Sequence, residues 1–170
     1  VRGEGRAFAA GADISEFEEV YSTAERAADY SRAIAAALDG LAAFPRPTLA
    51  AIEGACVGGG CGVALACDLR FAAVGAKFGI TPGKLGLVYT LNDTRRLIDA
   101  VGVSAAKDIL FTGRLMPDQE ALSLGLIDRL CESRDALMEA VAAFADQIAA
   151  TSSVSARITK QIIARIQAGQ

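Results

Sequence analysis

The chain has 170 residues, 52% of them hydrophobic and 22% charged, with a formal net charge of -3 at pH 7 and no histidine. This length allows one domain with a sizeable core, and the charge gives no electrostatic basis for binding nucleic acid or a membrane surface. Without histidine, the chain cannot form Ser-His-Asp or Cys-His nucleophile pairs, zinc motifs built on two histidines or a histidine general base.

The first residues and the cysteines bear on where in the cell the protein is located. Residues 1–8, VRGEGRAF, are polar and glycine-rich, which is typical of a strand end and a turn rather than of a signal peptide, and we expect a further segment upstream. No apolar run reaches the roughly 20 residues of a membrane span. The four cysteines match no zinc or redox spacing. We therefore expect no metal, no disulfide framework and a reduced, cytoplasmic location.

Apolar periodicity predicts a helix over residues 15–39, ended by Gly40 and the two prolines that follow it. The next elements alternate in type. They are a buried strand over 48–53, a helix over about 59–67, a strand over 69–74 and a short strand over 77–80.

The second half of the chain is predicted to be mostly helical. Asn92 or Asp93 is the predicted N-cap of the first of these helices, Gly102 its stop, and Pro117 the first residue of a later one. The helices cover 92–102, 104–111, 117–125, 134–150 and 154–167. Strands that alternate with helices early, followed by helices late, predict an α/β or α+β domain.

Three successive glycines, Gly58, Gly59 and Gly60, stand between a predicted strand and a predicted helix. Free N–H groups at such a turn bind anions, either as a phosphate cradle or as an oxyanion hole. The phosphate fingerprints do not fit, because Val63 occupies the third glycine position of G-x-G-x-x-G. Close packing of helix against strand explains the glycines equally well. A second small-residue loop around Gly11 favours the functional alternative, provided that both loops converge on one oxygen.

Three stretches resemble successive signatures of the enoyl-CoA hydratase/isomerase (crotonase) superfamily: AFAAGADISEF, AIEGACVGGGCGVALACDLRFA and FTGRLMPDQEALSLGLIDRL. The resemblance implies an α/β, crotonase-like ββα spiral over residues 1–133, lacking its N-terminal segment. It also implies an incomplete helical trimerisation region over 134–170. The implied ligand is a coenzyme A thioester, with no permanently bound cofactor, and the implied assembly is a homotrimer or a dimer of trimers.

The resemblance also assigns site residues. In the family, one backbone N–H from each glycine loop holds the thioester oxygen, and the matching donors here are Ala12 and Gly59. The substrate-binding positions implied in this way are Ala10, Gly11, Asp13, Ile14, Gly58, Gly60 and Pro82.

The chain departs from the family's hydratases at both catalytic carboxylates. Family hydratases carry two glutamates at the positions of Gly62 and Gly83, so we expect weak or absent hydration. Decarboxylation of a malonyl-type thioester needs an oxyanion hole but no base. The T-P-x-x-L-G-x-x-Y pattern that ends at Tyr89 resembles the methylmalonyl-CoA decarboxylase branch, although that branch has histidine where this chain has Ala12. Tyr89 would orient the carboxylate or help to protonate the enolate; a half-buried packing role is the alternative.

Other polar residues have mainly structural interpretations. Asp93 replaces a family glycine and is interpreted as a helix N-terminal residue more readily than as a replacement acid. We interpret Cys61 as packing, Asp13 as a loop cap, Asp68 as organising a turn, and Glu16, Glu18 and Glu19 as a solvated helix face. Two alternative functions stay open: an acyl-CoA-binding protein without turnover, and a hydratase or isomerase with a relocated acid.

Overall fold

A computed structural model describes residues 1–170. Seven α-helices follow in chain order: α1 Phe17–Val20, α2 Ala24–Ala42, α3 Gly59–Ala66, α4 Leu91–Thr112, α5 Asp118–Ser123, α6 Arg134–Ala149 and α7 Ser153–Gln167. The six strands are β1 Leu49–Ile52, β2 Ala55–Val57, β3 Leu69–Ala73, β4 Lys77–Gly79, β5 Leu115–Pro117 and β6 Arg129–Cys131. Short 3-10 helices span Ile14–Glu16 and Pro82–Leu85.

The strands form two small sheets that the chain visits in turn. One sheet has the order β1-β3-β6 and is parallel throughout, whereas the other has the order β2-β4-β5, with β2 and β4 parallel and β5 antiparallel to β4. β1 and β3 lie in the first sheet, and each is followed by a strand of the second sheet, β2 or β4, and then by a helix, α3 or α4. Bridges from Arg2 to Ala51 and from Ala9 to Cys56 pair the start of the chain with β1 and β2. The architecture is the expected ββα spiral.

The main core lies between the two sheets and helices α3 and α4. Ile52, Phe78 and Ile109 are almost completely buried there, and burial of this kind explains why β1 is continuously apolar instead of alternating. A smaller cluster forms where Phe71 and Leu137 join α6 to the first sheet. Since α6 packs directly on that sheet, part of the predicted 134–170 region contributes to the core. The predicted domain boundary itself stays a prediction.

The first predicted helix is divided into two. Thr23 has an extended backbone, and its side chain accepts a hydrogen bond from the Arg26 N–H, which starts α2 afresh. The helix then runs to Ala42, so the prediction that Gly40 ends it is wrong. A Cβ placed on Gly40 would have no atom within 4 Å, so this position is exposed. The helix continues through the glycine at this exposed position.

Helix boundaries in the second half differ from prediction at three caps. Thr90, rather than Asn92 or Asp93, is the N-cap of α4. Gly102 interrupts that helix with φ 77° and ψ 165°, so the predicted stop is a kink between two helical halves. Pro117 ends β5 and precedes α5 instead of forming its first residue. The strands β2, β5 and β6 were not predicted, because three residues give little periodicity, although the equally short β4 was predicted.

All four cysteines are buried and unbridged. The Cys61 thiol donates to the Cys56 carbonyl oxygen at 2.9 Å, in agreement with a packing role. No helix has the length and apolar character needed to cross a membrane. His, Cys, Asp and Glu side chains nowhere form a group of three that could hold a metal ion.

Candidate active site

The turn of three glycines opens α3, as predicted, and it follows the carboxyl end of β2, a strand that was not predicted. The segment before Gly11 runs alongside β2, and the Val57 N–H donates to the Ala9 carbonyl oxygen at 2.9 Å. The Gly58 N–H donates to Gly79 of β4 at 2.7 Å. Hydrogen bonds from two neighbouring segments therefore hold the turn in place.

The two glycine loops touch, main chain against main chain. A Cβ placed on Gly59 would lie 3.5 Å from the Gly11 Cα and 3.8 Å from the Ala12 nitrogen. A Cβ on Gly60 would lie only 2.2 Å from the Ala9 carbonyl oxygen, a distance that real side chains do not reach. The structure thus places the predicted donor residues Ala12 and Gly59 side by side.

Both predicted donors have a free N–H group. Ala12 lies outside every helix and strand, and its N–H donates to no acceptor of the protein. Gly59 is the first residue of α3, where an N–H has no acceptor within the helix. Ala12 is also exposed, so a ligand can reach this side of the turn. The two free N–H groups therefore belong to loops in contact, and that of Gly59 lies at the positive end of the α3 dipole.

Glycine is needed at Gly11 and Gly58 for a conformational reason. Their φ angles are 101° and 56°, a region that residues with a Cβ rarely adopt. No non-glycine residue of the chain has a positive φ.

Tyr89 reaches the turn from the segment before α4. Its hydroxyl donates to the Gly58 carbonyl oxygen at 2.6 Å, and its ring packs against the main core. Burial raises the pKa of Tyr89 well above its usual value, and the nearby Cys61 and Asp93 raise it further. The hydroxyl is therefore a neutral hydrogen-bond donor at physiological pH.

Gly62 and Gly83, the positions where the resemblance implies glutamates in family hydratases, have different surroundings. A Cβ on Gly62 would lie 3.3 Å from a Leu38 methyl and 3.9 Å from the Tyr89 hydroxyl, so it faces the same space as Tyr89. A Cβ on Gly83 would meet only the Leu110 carbonyl oxygen at 3.5 Å, an ordinary contact. Leu38 belongs to α2, and the sequence did not identify it as a neighbour of the site. Helical periodicity does not show which distant residue a buried face contacts.

Asp93 lies in the first turn of α4, as its interpretation as a helix N-terminal residue requires. Thr90 donates its hydroxyl to the Asp93 carboxylate at 2.7 Å and accepts from the Asp93 N–H at 3.1 Å. Arg96 pairs with the same carboxylate at 2.8 Å and with Asp39 of α2 at 2.5 Å. The carboxylate is buried and already has two partners.

The remaining predicted residues lie around the first glycine loop or beyond it. Asp13 accepts from the Ser15 hydroxyl and N–H, and these two bonds hold the pKa of its carboxyl below the usual range. Ile14 is 69% exposed beside it, and Pro82 begins the 3-10 helix that precedes Tyr89. Ala10 is exposed, as are the side chains of Glu16, Glu18 and Glu19.

Asp68 and one large cavity lie away from the glycine loops. Asp68 accepts from the Thr48 N–H and hydroxyl, and it pairs with Lys160 at 2.8 Å, so it joins the end of α3 to both β1 and α7. A cavity of about 1050 Å³ opens between α2, α4 and α7. It is lined by Asp39, Arg96 and Lys160 among others, and by none of the predicted site residues.

The family model for enoyl-CoA hydratase/isomerase matches residues 1–168. The chain belongs to that family. Among solved structures, an enoyl-CoA hydratase/isomerase family protein from Hyphomonas neptunium is 57% identical, with a TM-score of 0.95, over 99% of this chain and 64% of that one. An enoyl-CoA hydratase/carnithine racemase from Magnetospirillum magneticum is 41% identical, with a TM-score of 0.92, over 97% of this chain and 62% of that one.

A human relative, enoyl-CoA hydratase domain-containing protein 2, is 38% identical over 161 residues, which is 93% of this chain and 54% of the relative. The chain thus spans less than two thirds of the length of these family members. The match confirms the predicted superfamily and the crotonase fold.

Proposed function

We propose that this chain binds an acyl-CoA thioester and stabilises its enolate with the N–H groups of Ala12 and Gly59. The supporting observation is the contact between the two glycine loops, which puts both free amides beside each other. Two such donors stabilise a thioester oxygen most strongly when it becomes negatively charged, because a preformed site needs no reorganisation at that moment.

Residues around these amides would shape the substrate site. Gly58 and Gly60 allow the thioester to approach the main chain, and Gly11 allows the first loop to lie against the turn. Ala10, Asp13, Ile14 and Pro82 are proposed to contact the substrate near the mouth. Coenzyme A enters as part of the substrate, and no permanently bound cofactor is proposed.

The favoured reaction is decarboxylation of a malonyl-type thioester. The bond between the α-carbon and the carboxylate breaks, carbon dioxide leaves, and the electron pair moves onto the thioester oxygen as an enolate. The α-carbon then takes a proton from solvent or from a nearby donor. This chemistry fits glycines at positions 62 and 83, because a glutamate at either would repel the substrate's own carboxylate.

Two alternatives make different use of the same site. A protein that binds acyl-CoA without turnover needs only the two amides. A hydratase or isomerase needs an acid or base, for which Asp93 is the candidate. The ion pair with Arg96 and the hydrogen bond from Thr90 argue against this role, because a proton-transferring carboxylate must first leave those partners.

The proposed assembly is a homotrimer or a dimer of trimers. Its support is the apolar surface of α7, where Val154, Ile158, Ile162 and Ile166 are each between 44% and 67% exposed. Contiguous apolar surface of this kind is typical of a protein interface.

The deciding experiment incubates the protein with malonyl-, methylmalonyl- and crotonyl-CoA and follows each by mass spectrometry. We expect loss of carbon dioxide from at least one of the first two. Gly59→Ala places a methyl 3.8 Å from the Ala12 nitrogen, in ordinary contact with Gly11, so it should obstruct the site without disturbing the fold. Turnover should fall at least about 100-fold, comparable with the usual effect of losing one oxyanion donor, because the methyl obstructs access of the thioester oxygen to the two amides.

The matched control is Gly40→Ala, which adds the same methyl in open space on α2 and should leave turnover unchanged. Tight acyl-CoA binding with no product would favour the binding protein. Hydration of crotonyl-CoA that disappears in a folded Asp93→Asn variant would favour the relocated acid and reject decarboxylation.

A further inference from the structure

The carbonyl of Gly58 and the N–H of Gly59 belong to one peptide unit. The chain has no cis peptide bond, so this unit is trans and planar, and its C=O and N–H point in opposite directions. Any contact that fixes the direction of the Gly58 carbonyl therefore also fixes the direction of the Gly59 N–H.

The peptide unit between Gly58 and Gly59 has little intrinsic rigidity. Its plane rotates when ψ of Gly58 and φ of Gly59 change in opposite directions, and neither residue has a Cβ to resist this rotation. Gly58 itself has φ 56° and ψ -120°. Contacts from elsewhere must hold the plane.

Three donors converge on the Gly58 carbonyl oxygen. The backbone N–H groups of Cys61 and Gly62 donate at 3.1 Å and 3.4 Å from the first turn of α3, and the Tyr89 hydroxyl donates at 2.6 Å. The tyrosine contact is the shortest of the three, and it alone comes from a different part of the chain.

We propose that Tyr89 is a positioning residue, which aims the Gly59 N–H at the thioester oxygen by holding the Gly58 carbonyl on the opposite side of their shared peptide unit. The inference rests on the proposed oxyanion site and assigns Tyr89 a role in it that needs no contact with substrate. A hydrogen bond to the carbonyl also polarises the amide and strengthens its N–H as a donor.

The support for Tyr89 extends into α4. Thr90, the next residue, caps that helix through reciprocal hydrogen bonds with Asp93, and Asp93 is held in turn by Arg96. The ring packs against the main core. Burial raises the pKa of the phenol, which keeps its proton available for the carbonyl. Asp93 thus contributes to the site by anchoring the segment that carries Tyr89.

The test measures polarisation of a bound thioester carbonyl directly. Butyryl-CoA labelled with ¹³C at the thioester carbon is the probe, because it has neither a carboxylate to lose nor a double bond to hydrate. Isotope-edited infrared difference spectra give the shift of its carbonyl stretch to lower frequency on binding. A tyrosine that only orients a substrate carboxylate would leave this shift unchanged.

We expect Tyr89→Phe to bind butyryl-CoA within about threefold of the wild-type affinity and to lose most of the carbonyl shift. Tyr21→Phe, which removes an exposed hydroxyl that has no hydrogen bond within the protein, is the matched control and should keep the full shift. Should Tyr89→Phe fail to fold, 3,5-difluorotyrosine at position 89 provides a stronger donor in a full-sized ring and should enlarge the shift at pH 6.

The outcomes separate the inference from the proposed function. A carbonyl shift of wild-type size in folded Tyr89→Phe, or one unchanged by difluorotyrosine, overturns the positioning role and leaves the oxyanion site standing. Absence of butyryl-CoA binding, or of any carbonyl shift in the wild-type protein, rejects the proposed site itself and the positioning role with it.

Discussion

Two regions near the site place opposite requirements on their glycines: the first excludes a side chain and the second accepts one. In the contact between the loops, at Gly11 and Gly60, a side chain would be strained by backbone conformation or would collide with main-chain atoms. At Gly62 and Gly83, the positions where the resemblance implies glutamates in family hydratases, a Cβ meets only a side-chain methyl or ordinary contacts. Main-chain geometry therefore compels glycine in the first region, whereas the fold leaves room for a side chain in the second.

Gly60→Ala should give the largest effect, because it places a side chain in the first region, where the contact between the two loops leaves no room for one. Its Cβ would lie 2.2 Å from the Ala9 carbonyl oxygen, and a main-chain atom cannot swing aside as a side chain can. We expect about 4 kcal/mol lower free energy of unfolding, at the upper end for a single substitution. Urea unfolding followed by circular dichroism measures this change. A loss below about 1 kcal/mol would show that the loops separate easily and that their contact is not rigid.

Alkaline pH should lower the free energy of unfolding, because buried thiols and a buried phenol keep their protons in the folded chain. Burial raises the pKa of the Cys67 thiol and of Tyr89, and a hydrogen bond with Cys61 together with burial raises that of Cys56. Above their ordinary pKa values the unfolded chain releases protons that the folded chain retains, so stability falls as pH rises. Each group contributes up to roughly 1.4 kcal/mol for each pH unit.

Urea unfolding between pH 7.5 and 10.5 checks this dependence. The wild-type stability should decline above about pH 9, where thiols and phenols begin to ionise in the unfolded chain. Tyr89→Phe should show a shallower decline near pH 10 and above, because one titrating group is gone. Equal stability across the whole range would mean that these groups ionise as readily in the folded protein as in the unfolded chain.

The smallest effects are expected in the second region. Gly83→Ala adds a methyl in ordinary contact with Leu110, and Gly62→Ala trades a tight approach to the Leu38 methyl for better helix propensity in α3. Each should change the free energy of unfolding by less than about 1 kcal/mol. A loss as large as that of Gly60→Ala would remove the distinction between the two regions.

Residue patterns predicted much of this architecture. The long elements and the glycine turn that opens α3 followed from local periodicity, and the family followed from three motifs in order, because these signals lie within short stretches of chain. Caps were less predictable. Thr23 and Thr90 begin helices where the periodicity suggested other boundaries, since a cap depends on one side chain meeting one N–H.

The sequence by itself determined that two glycine loops, glycines at positions 62 and 83 and a tyrosine at position 89 occur together in a chain of this family. Only the tertiary structure decided that the loops touch and that the Tyr89 hydroxyl meets the Gly58 carbonyl across 31 residues. It also decided that the Asp93 carboxylate has Arg96 and Thr90 as partners. The physical reason is that conformational preferences act between near neighbours, whereas the direction of an N–H group is set by whatever packing brings to the other side of its peptide.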